Sequence, residues 1–225
     1  RSMSQSINSL ITLSDPRSPA AEAFRALRTN IYFSSLDRSI HTLVVTSAAP
    51  GEGKSMVLTN LAVAMAQGDT KTILVDADLR RPTVHTTFGL NNEAGLTSLF
   101  INAKGPIEPA LKDVGVSNLQ VLTSGPLPPN PAEVLGSKRM LDVIADLKTR
   151  AEIVLFDAPP VIAVTDASVL GTRVDGVLLV INSGHTRREH AKRAKAQLEK
   201  LNIRVVGVVL NGTTIDSAMG GYYLS

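Results

Sequence analysis

One stretch constrains this chain more than any other: residues 43–55, reading LVVTSAAPGEGKS. Residues 43–46 are a short apolar, β-branched run, the pattern of a parallel strand covered on both faces. Ala48 and four further residues precede Gly53, Lys54 and Ser55, and residues 56–67 read as an alanine- and leucine-rich helix. Strand, glycine loop and helix in that order are the context a phosphate-binding loop requires, the plainer reading being a Gly-rich turn with an exposed lysine. Gly51 and Gly53 let backbone N–H groups turn inward around a phosphate with no Cβ in the way. The helix N-terminus adds partial positive charge. Lys54 reaches the outer phosphates and the Ser55 hydroxyl suits Mg²⁺. Ala48 stands where the first glycine of such loops is usual.

The rest of the composition agrees with a sheet built around that strand. Of the 225 residues 44% are hydrophobic, but aromatics are only 4% and tryptophan is absent. The core must therefore come from Val, Leu, Ile and Ala, which suits a mostly parallel sheet with helices on both faces, an α/β fold. A net charge of +3 gives no reason to expect a nucleic-acid partner. With no cysteine there is no disulfide scaffold and no thiolate metal site. No apolar run approaches the roughly 20 residues of a membrane-spanning helix. Arg1-Ser2-Met3 reads as a cloning scar on an excised cytoplasmic domain. Residues 1–16 are expected to be a flexible lead-in, 17–214 a single domain, and 215–225 a flexible tyrosine-containing tail.

Two further strand ends carry acids. Residues 72–75 form an apolar run that ends in Asp76-Ala77-Asp78, and residues 153–156 form another that ends in Asp157. In an open α/β sheet ligands bind beyond the carboxyl ends of the strands. Asp76 and Asp78 therefore suit a Mg²⁺ site or a general base, and Asp157 suits Mg²⁺ opposite the loop. The plainer reading of each is a capping or solvated aspartate.

Elsewhere the chain is less specific. Ser18-Pro19 is a helix start, with Ala20, Phe24, Leu27 and Ile31 on one face to about residue 33. Residues 79–88 read as a loop in which Arg80 or Arg81 meets phosphate, a neighbouring subunit or solvent. His85 reads as packing or solvated. Residues 96–112 read as helical pieces, 119–122 as a strand, 131–135 and 139–148 as helices. Residues 166–170 form a short helix, 176–181 a strand, 186–201 a basic helix and 204–210 the last strand. The basic helix offers a surface to anionic lipid or an acidic partner, though a solvated face is the commoner use. Asn211, at the last strand end, has a donor and an acceptor with which to read adenine. Tyr222 and Tyr223 close the tail.

Taken together these residues resemble the bacterial tyrosine kinases of capsule and exopolysaccharide synthesis, P-loop NTPases with a three-layer sandwich fold. SAAPGEGKS at 47–55 is similar to their Walker A loop, ILVDADLRRP at 73–82 to their second acidic motif, and IVLFDAPP at 153–160 to Walker B. PPNPAEVL at 128–135 resembles theirs too. Glu22, Arg25 and Arg28 match the family's ExxRxxR motif, which mediates ring-like homo-oligomers. The resemblance implies ATP and Mg²⁺ as cofactors, with Pro50, Gly51, Glu52, Gly53, Lys54, Ser55, Met56 and Asn211 holding the nucleotide. It implies Ser55, Asp78 and Asp157 around the metal, in its inner or outer shell, and Lys54, Asp76 and Asp78 as catalytic residues. Asp76 is the candidate to accept the tyrosine proton, with Asp78 left open. It implies Tyr222 and Tyr223 as phosphoacceptors for a neighbouring copy. It also implies a membrane activator domain in the same or a separate chain, a phosphotyrosine phosphatase as partner, and a place at the inner face of the plasma membrane.

Two other readings compete. A switch ATPase of the kind that positions division machinery carries a signature lysine early in the loop, where this chain has Ala49. A nucleotide-dependent assembly regulator needs no catalytic acids, yet Lys54, Ser55, Asp76, Asp78 and Asp157 are all present.

Overall fold

A computed structural model describes residues 9–101 and 105–213. The start of the lead-in and Tyr222 and Tyr223 of the tail lie outside the described residues. The elements in order are α1 (Ile11–Ser14), α2 (Pro19–Asp37), β1 (Thr42–Ser47), α3 (Lys54–Gln67), β2 (Thr72–Asp76), α4 (Val84–Phe88), α5 (Ser98–Ile101), a 3₁₀ turn (Glu108–Ala110), β3 (Lys112–Asp113) and β4 (Leu119–Leu122). There follow α6 (Pro131–Gly136), α7 (Lys138–Arg150), β5 (Ile153–Asp157), α8 (Asp166–Gly171), β6 (Gly176–Asn182), α9 (Arg188–Lys200) and β7 (Val205–Asn211).

The strands form one seven-stranded sheet in the order β3-β4-β2-β5-β1-β6-β7. Every pairing is parallel except β3 with β4. Period-2 alternation splits the buried strand residues between two cores. Val44, Val75, Phe156 and Leu179 pack on α7, α8 and α9, while Leu43, Val45, Leu155 and Val180 pack on α2 and α3. Helices thus cover both faces, and each fully buried Leu or Phe removes about 1.5–3 kcal/mol worth of apolar surface from water. After β1 the chain crosses β5 to reach β2, and after β5 it crosses β1 to reach β6. The carboxyl end of β1 is therefore a switch point, where an open crevice forms.

Three local differences from the sequence expectation have physical causes. The lead-in ends before residue 16: Leu10 and Thr12 are buried, and Thr12 N and Oγ1 donate to Asn60 Oδ1 on α3 at 3.1 and 3.0 Å. A partner 48 residues away is what orders that segment. Residues 84–88 are helical within the stretch read as a loop, because Asp76 Oδ2 accepts the first-turn N–H groups of Thr83 and Val84 at 3.1 and 3.0 Å. The two-residue strand β3 replaces the end of the expected helical pieces, held to β4 in antiparallel register.

Helix α2 begins as expected, with Ser18 Oγ accepting from Ala21 N at 3.2 Å and Pro19 in the first turn. It buries Ala21, Phe24 and Ile31 and runs four residues past the expected end. Its Arg28 is turned inward: Nη1 donates to the Ala64 carbonyl of α3 at 2.7 Å. A Cβ on Gly68 would sit 2.6 Å from that nitrogen, so glycine there makes the approach possible. The basic residues of α9 are exposed while Ala194 and Leu198 are buried, the arrangement of a solvated face.

Candidate active site

The site assembles at the carboxyl ends of β1, β2 and β5. Register puts Val45 of β1 level with Asp157 of β5, and Asp157 level with Asp76 of β2. Beyond β1 the loop turns through Gly51 at φ +79° and Gly53 at φ +80°, left-handed values that L side chains rarely adopt. Gly53 is also the cap residue before α3, and a Cβ there would lie 2.3 Å from Asn211 Nδ2. The loop amides and the α3 N-terminus are thereby left facing a crevice of about 480 Å³, whose lining includes Lys54, Ser55, Asp78 and Arg81.

Lys54 is the hub. Its Nζ lies 2.7 Å from Asp157 Oδ1 and 3.0 Å from Asp78 Oδ2. Ser55 Oγ donates to Asp157 Oδ2 at 2.7 Å and accepts from Lys54 Nζ at 3.1 Å. Asp157 and Asp76 are fully buried and Asp78 nearly so. Burial pulls Lys54 down, but the carboxylates of Asp157 and Asp78 more than offset it, and the amine is held protonated. Burial pushes the Asp157 carboxyl up, and Lys54 and Ser55 pull it back. At 2.7 Å the pair is a charged one.

Asp76 differs from its neighbours. Burial, then the Asp157 charge, push its carboxyl up to about 7, against the lowering effect of the Val84 N–H. It stands behind Asp78, with Oδ2 on the α4 amides and Oδ1 accepting from Asp78 N at 3.3 Å. Asp78 lines the crevice itself. Its Oδ1 accepts from the N–H groups of Arg80 and Arg81 at 3.3 and 3.0 Å.

Two buried carboxylates on one lysine leave an excess of negative charge, and the donors are hard oxygens. That set fits a small divalent cation, which takes a few protein oxygens and fills its shell with phosphate and water. Among the described residues no cluster of three or more acidic, histidine or cysteine side chains closes around one point. The oxygens at the crevice that could supply part of such a shell are those of Ser55, Asp78 and Asp157.

The other residues singled out in the sequence fall in two places. Asn211 reaches the loop, donating from Nδ2 to the Glu52 carbonyl at 3.0 Å. Glu52 is buried, its Oε1 bound by the Thr186 hydroxyl and its Oε2 without a partner. Pro50 and Met56 are exposed at the loop rim. Glu22, Arg25 and Arg28 lie on α2, apart from this site. Arg25 Nε pairs with Glu22 Oε2 at 2.6 Å, and Arg28 is engaged by Ala64. His85 is half-buried away from the crevice lining; burial and Lys112 hold it below the usual imidazole range. Sequence reasoning missed the Arg80–Asp166 and Glu52–Thr186 contacts, which join residues 86 and 134 positions apart; no local pattern announces such pairs.

Comparison with known proteins agrees with this geometry. The P-loop NTPase family model ParA, described as NUBPL iron-transfer P-loop NTPase, matches residues 38–221. A chain without cysteine has no thiolates for an iron cluster, so the match is to the nucleotide-binding framework. The tyrosine-protein kinase YwqD of Bacillus subtilis is 45% identical over 95% of this chain and 90% of its own length. The chain belongs to the bacterial tyrosine-protein kinases. Two solved structures support the same placement within that family. The kinase domain of the Escherichia coli tyrosine kinase Etk, 33% identical, superposes with a TM-score of 0.86 over 93% of this chain and 82% of that one. The chimerical protein CapA2B2, 39% identical, superposes with a TM-score of 0.88 over 92% of this chain and 91% of that one. As a P-loop NTPase of this family the chain is a nucleotide-binding enzyme. Among the described residues no helix is long and apolar enough to cross a membrane.

Proposed function

We propose that this chain transfers the γ-phosphoryl group of Mg-ATP to Tyr222 and Tyr223 of a neighbouring copy, and that this self-phosphorylation regulates exopolysaccharide or capsule synthesis and export. One observation carries the reading: Lys54 Nζ, Ser55 Oγ and the carboxylates of Asp78 and Asp157 converge at the mouth of the glycine loop. Lys54 and the amides of Gly51, Glu52 and Gly53 bind the phosphates and offset charge on the transferring group. Ser55, Asp78 and Asp157 hold Mg²⁺, which when bound neutralises the phosphate oxygens and orients them. Asn211 reads the adenine edge with the oxygen that the Glu52 contact leaves free. The phenolic oxygen attacks the γ-phosphorus, the bond to the bridging oxygen breaks, and ADP departs with that electron pair.

The phenolic proton goes to a carboxylate. Asp76, pushed up to about 7, is the better matched base, and the turn covering it must shift to admit the phenol. Asp78 is the second candidate because it already lines the crevice. Asp76→Asn separates them: loss of phosphotransfer with Mg-nucleotide binding retained assigns the proton to Asp76, whereas retained phosphotransfer leaves it to Asp78, whose own Asp78→Asn variant loses Mg-nucleotide binding as well.

This reading extends to partners, supported by the family resemblance. The oligomer is a ring built through Glu22, Arg25 and Arg28, a membrane activator stimulates it from the same or another chain, and a phosphotyrosine phosphatase resets it at the inner face of the plasma membrane. The test of the central step is incubation with Mg-ATP, followed by intact-mass measurement and peptide mapping. Phosphate on Tyr222 or Tyr223, absent in Lys54→Met, is the expected result. Unchanged mass with steady ATP turnover overturns it and leaves a switch ATPase.

A further inference from the structure

The turn that carries Asp78 is tied to the first turn of α8 by a two-pronged contact that is buried only on its carboxylate side. Arg80 Nε and Nη2 donate to Asp166 Oδ2 and Oδ1, each at 2.9 Å. Asp166 opens α8 and is fully buried, whereas the Arg80 side chain is 42% exposed. The same Arg80 gives its backbone N–H to Asp78 Oδ1, and the other oxygen of Asp78 accepts from Lys54 Nζ at 3.0 Å. A continuous run of contacts therefore leads from the first turn of α8 to the lysine of the glycine loop.

Energetics argue that this fork has a positional purpose. Burying a carboxylate and pairing it with a cation returns little stability over an apolar pair of the same volume. What a two-pronged arginine–carboxylate contact adds is fixed geometry. Here the geometry belongs to the turn at residues 77–82, whose conformation decides where the Asp78 carboxylate points.

We propose that Asp166 is a positioning residue for the metal–nucleotide site: through Arg80 it fixes the 77–82 turn and holds Asp78 in place for Mg²⁺. Asp166 is not among the residues that line the crevice, so its effect is confined to steps in which Asp78 takes part. Partners standing behind metal ligands commonly change metal affinity by about 10–100-fold when removed. The loop amides and Lys54 do not touch Asp166, so nucleotide binding without metal is left as it was.

The inference rests on the Mg-nucleotide reading of the site, and the experiment separates the two. The full chain is titrated with a fluorescent N-methylanthraniloyl-ADP, once in EDTA and once across a Mg²⁺ series, as wild type, Asp166→Asn and Arg80→Lys. Asp166→Asn is expected to raise the half-saturating Mg²⁺ by about tenfold or more, with affinity in EDTA within about twofold of wild type. Arg80→Lys keeps the charge but loses the fork, so it gives a smaller rise in the same direction. It carries the test if Asp166→Asn does not fold. An unchanged Mg²⁺ series in both variants overturns the inference. So does an equal loss with and without Mg²⁺, which marks a contact needed only for folding. A wild type that binds the nucleotide under neither condition overturns the Mg-nucleotide reading and this inference with it.

Discussion

Replacing Lys54 with methionine tests the electrostatic core of the site without the need for a substrate. The side chain is similar in length, so packing volume is nearly kept. What is lost is the one cation lying 2.7 Å from Asp157 and 3.0 Å from Asp78. With an effective dielectric of about 20, each contact represents about 5–6 kcal/mol of attraction, and desolvation of the three groups takes back much of the sum. Removing one partner of a buried pair has a net cost of about 3–5 kcal/mol, and we expect the variant to lose about 3 kcal/mol at about pH 8. The loss depends on pH in a definite direction. Burial already pushes the Asp157 carboxyl up, and without Lys54 its folded value rises further above the unfolded one. A carboxyl raised on folding penalises the fold when ionised, so the penalty is full above the folded value and fades as pH falls towards the unfolded one. Urea unfolding in EDTA at about pH 8 and about pH 5.5 reads this directly, and the gap between variant and wild type should narrow at the lower pH. An equal gap at both values, or no gap at all, refutes the argument that Lys54 compensates buried carboxylates.

Other consequences are local. Asp175 Oδ2 accepts from His41 N, Thr42 N and Thr42 Oγ1, each at 2.9 Å. Burial pushes its carboxyl up, but those bonds outweigh it and hold it below the usual range. The stability it adds is present above the unfolded value and lost as pH falls through the folded one, so Asp175→Asn should flatten acid unfolding below about pH 4, measured by circular dichroism. Thr12→Val removes a buried hydroxyl contact to Asn60 and should lower stability by about 1 kcal/mol in urea titration. Gly53→Ala forces a left-handed φ of +80° on a residue with a Cβ, for about 1–2 kcal/mol, and pushes Asn211 aside; weaker nucleotide binding by calorimetry is the expected readout. Glu22→Ala with Arg25→Ala should lower the solution mass by light scattering without changing Tm. Arg28→Met should lower Tm as well, because it uncaps the Ala64 carbonyl.

The separation of these effects follows from what a sequence can and cannot carry. β1, β2 and β5 were readable because a strand covered on both faces is a run of apolar residues, and each such run here stops at the functional end. The glycine loop was readable because its backbone conformation restricts residue type at Gly51 and Gly53. The acids were readable because Asp76, Asp78 and Asp157 terminate those runs. Nothing comparable marks residues 10–14, whose order comes from Asn60, nor α4, whose first turn is capped by Asp76 rather than by its own preceding residue. Asp166 looks like an ordinary acid in the first turn of a short helix until the fold brings Arg80 to it. The legible features are therefore those in which one residue meets the backbone's or the ligand's demand by itself. The features the sequence hides are the side-chain contacts between turns, and at this site those contacts decide how firmly Asp78 is held.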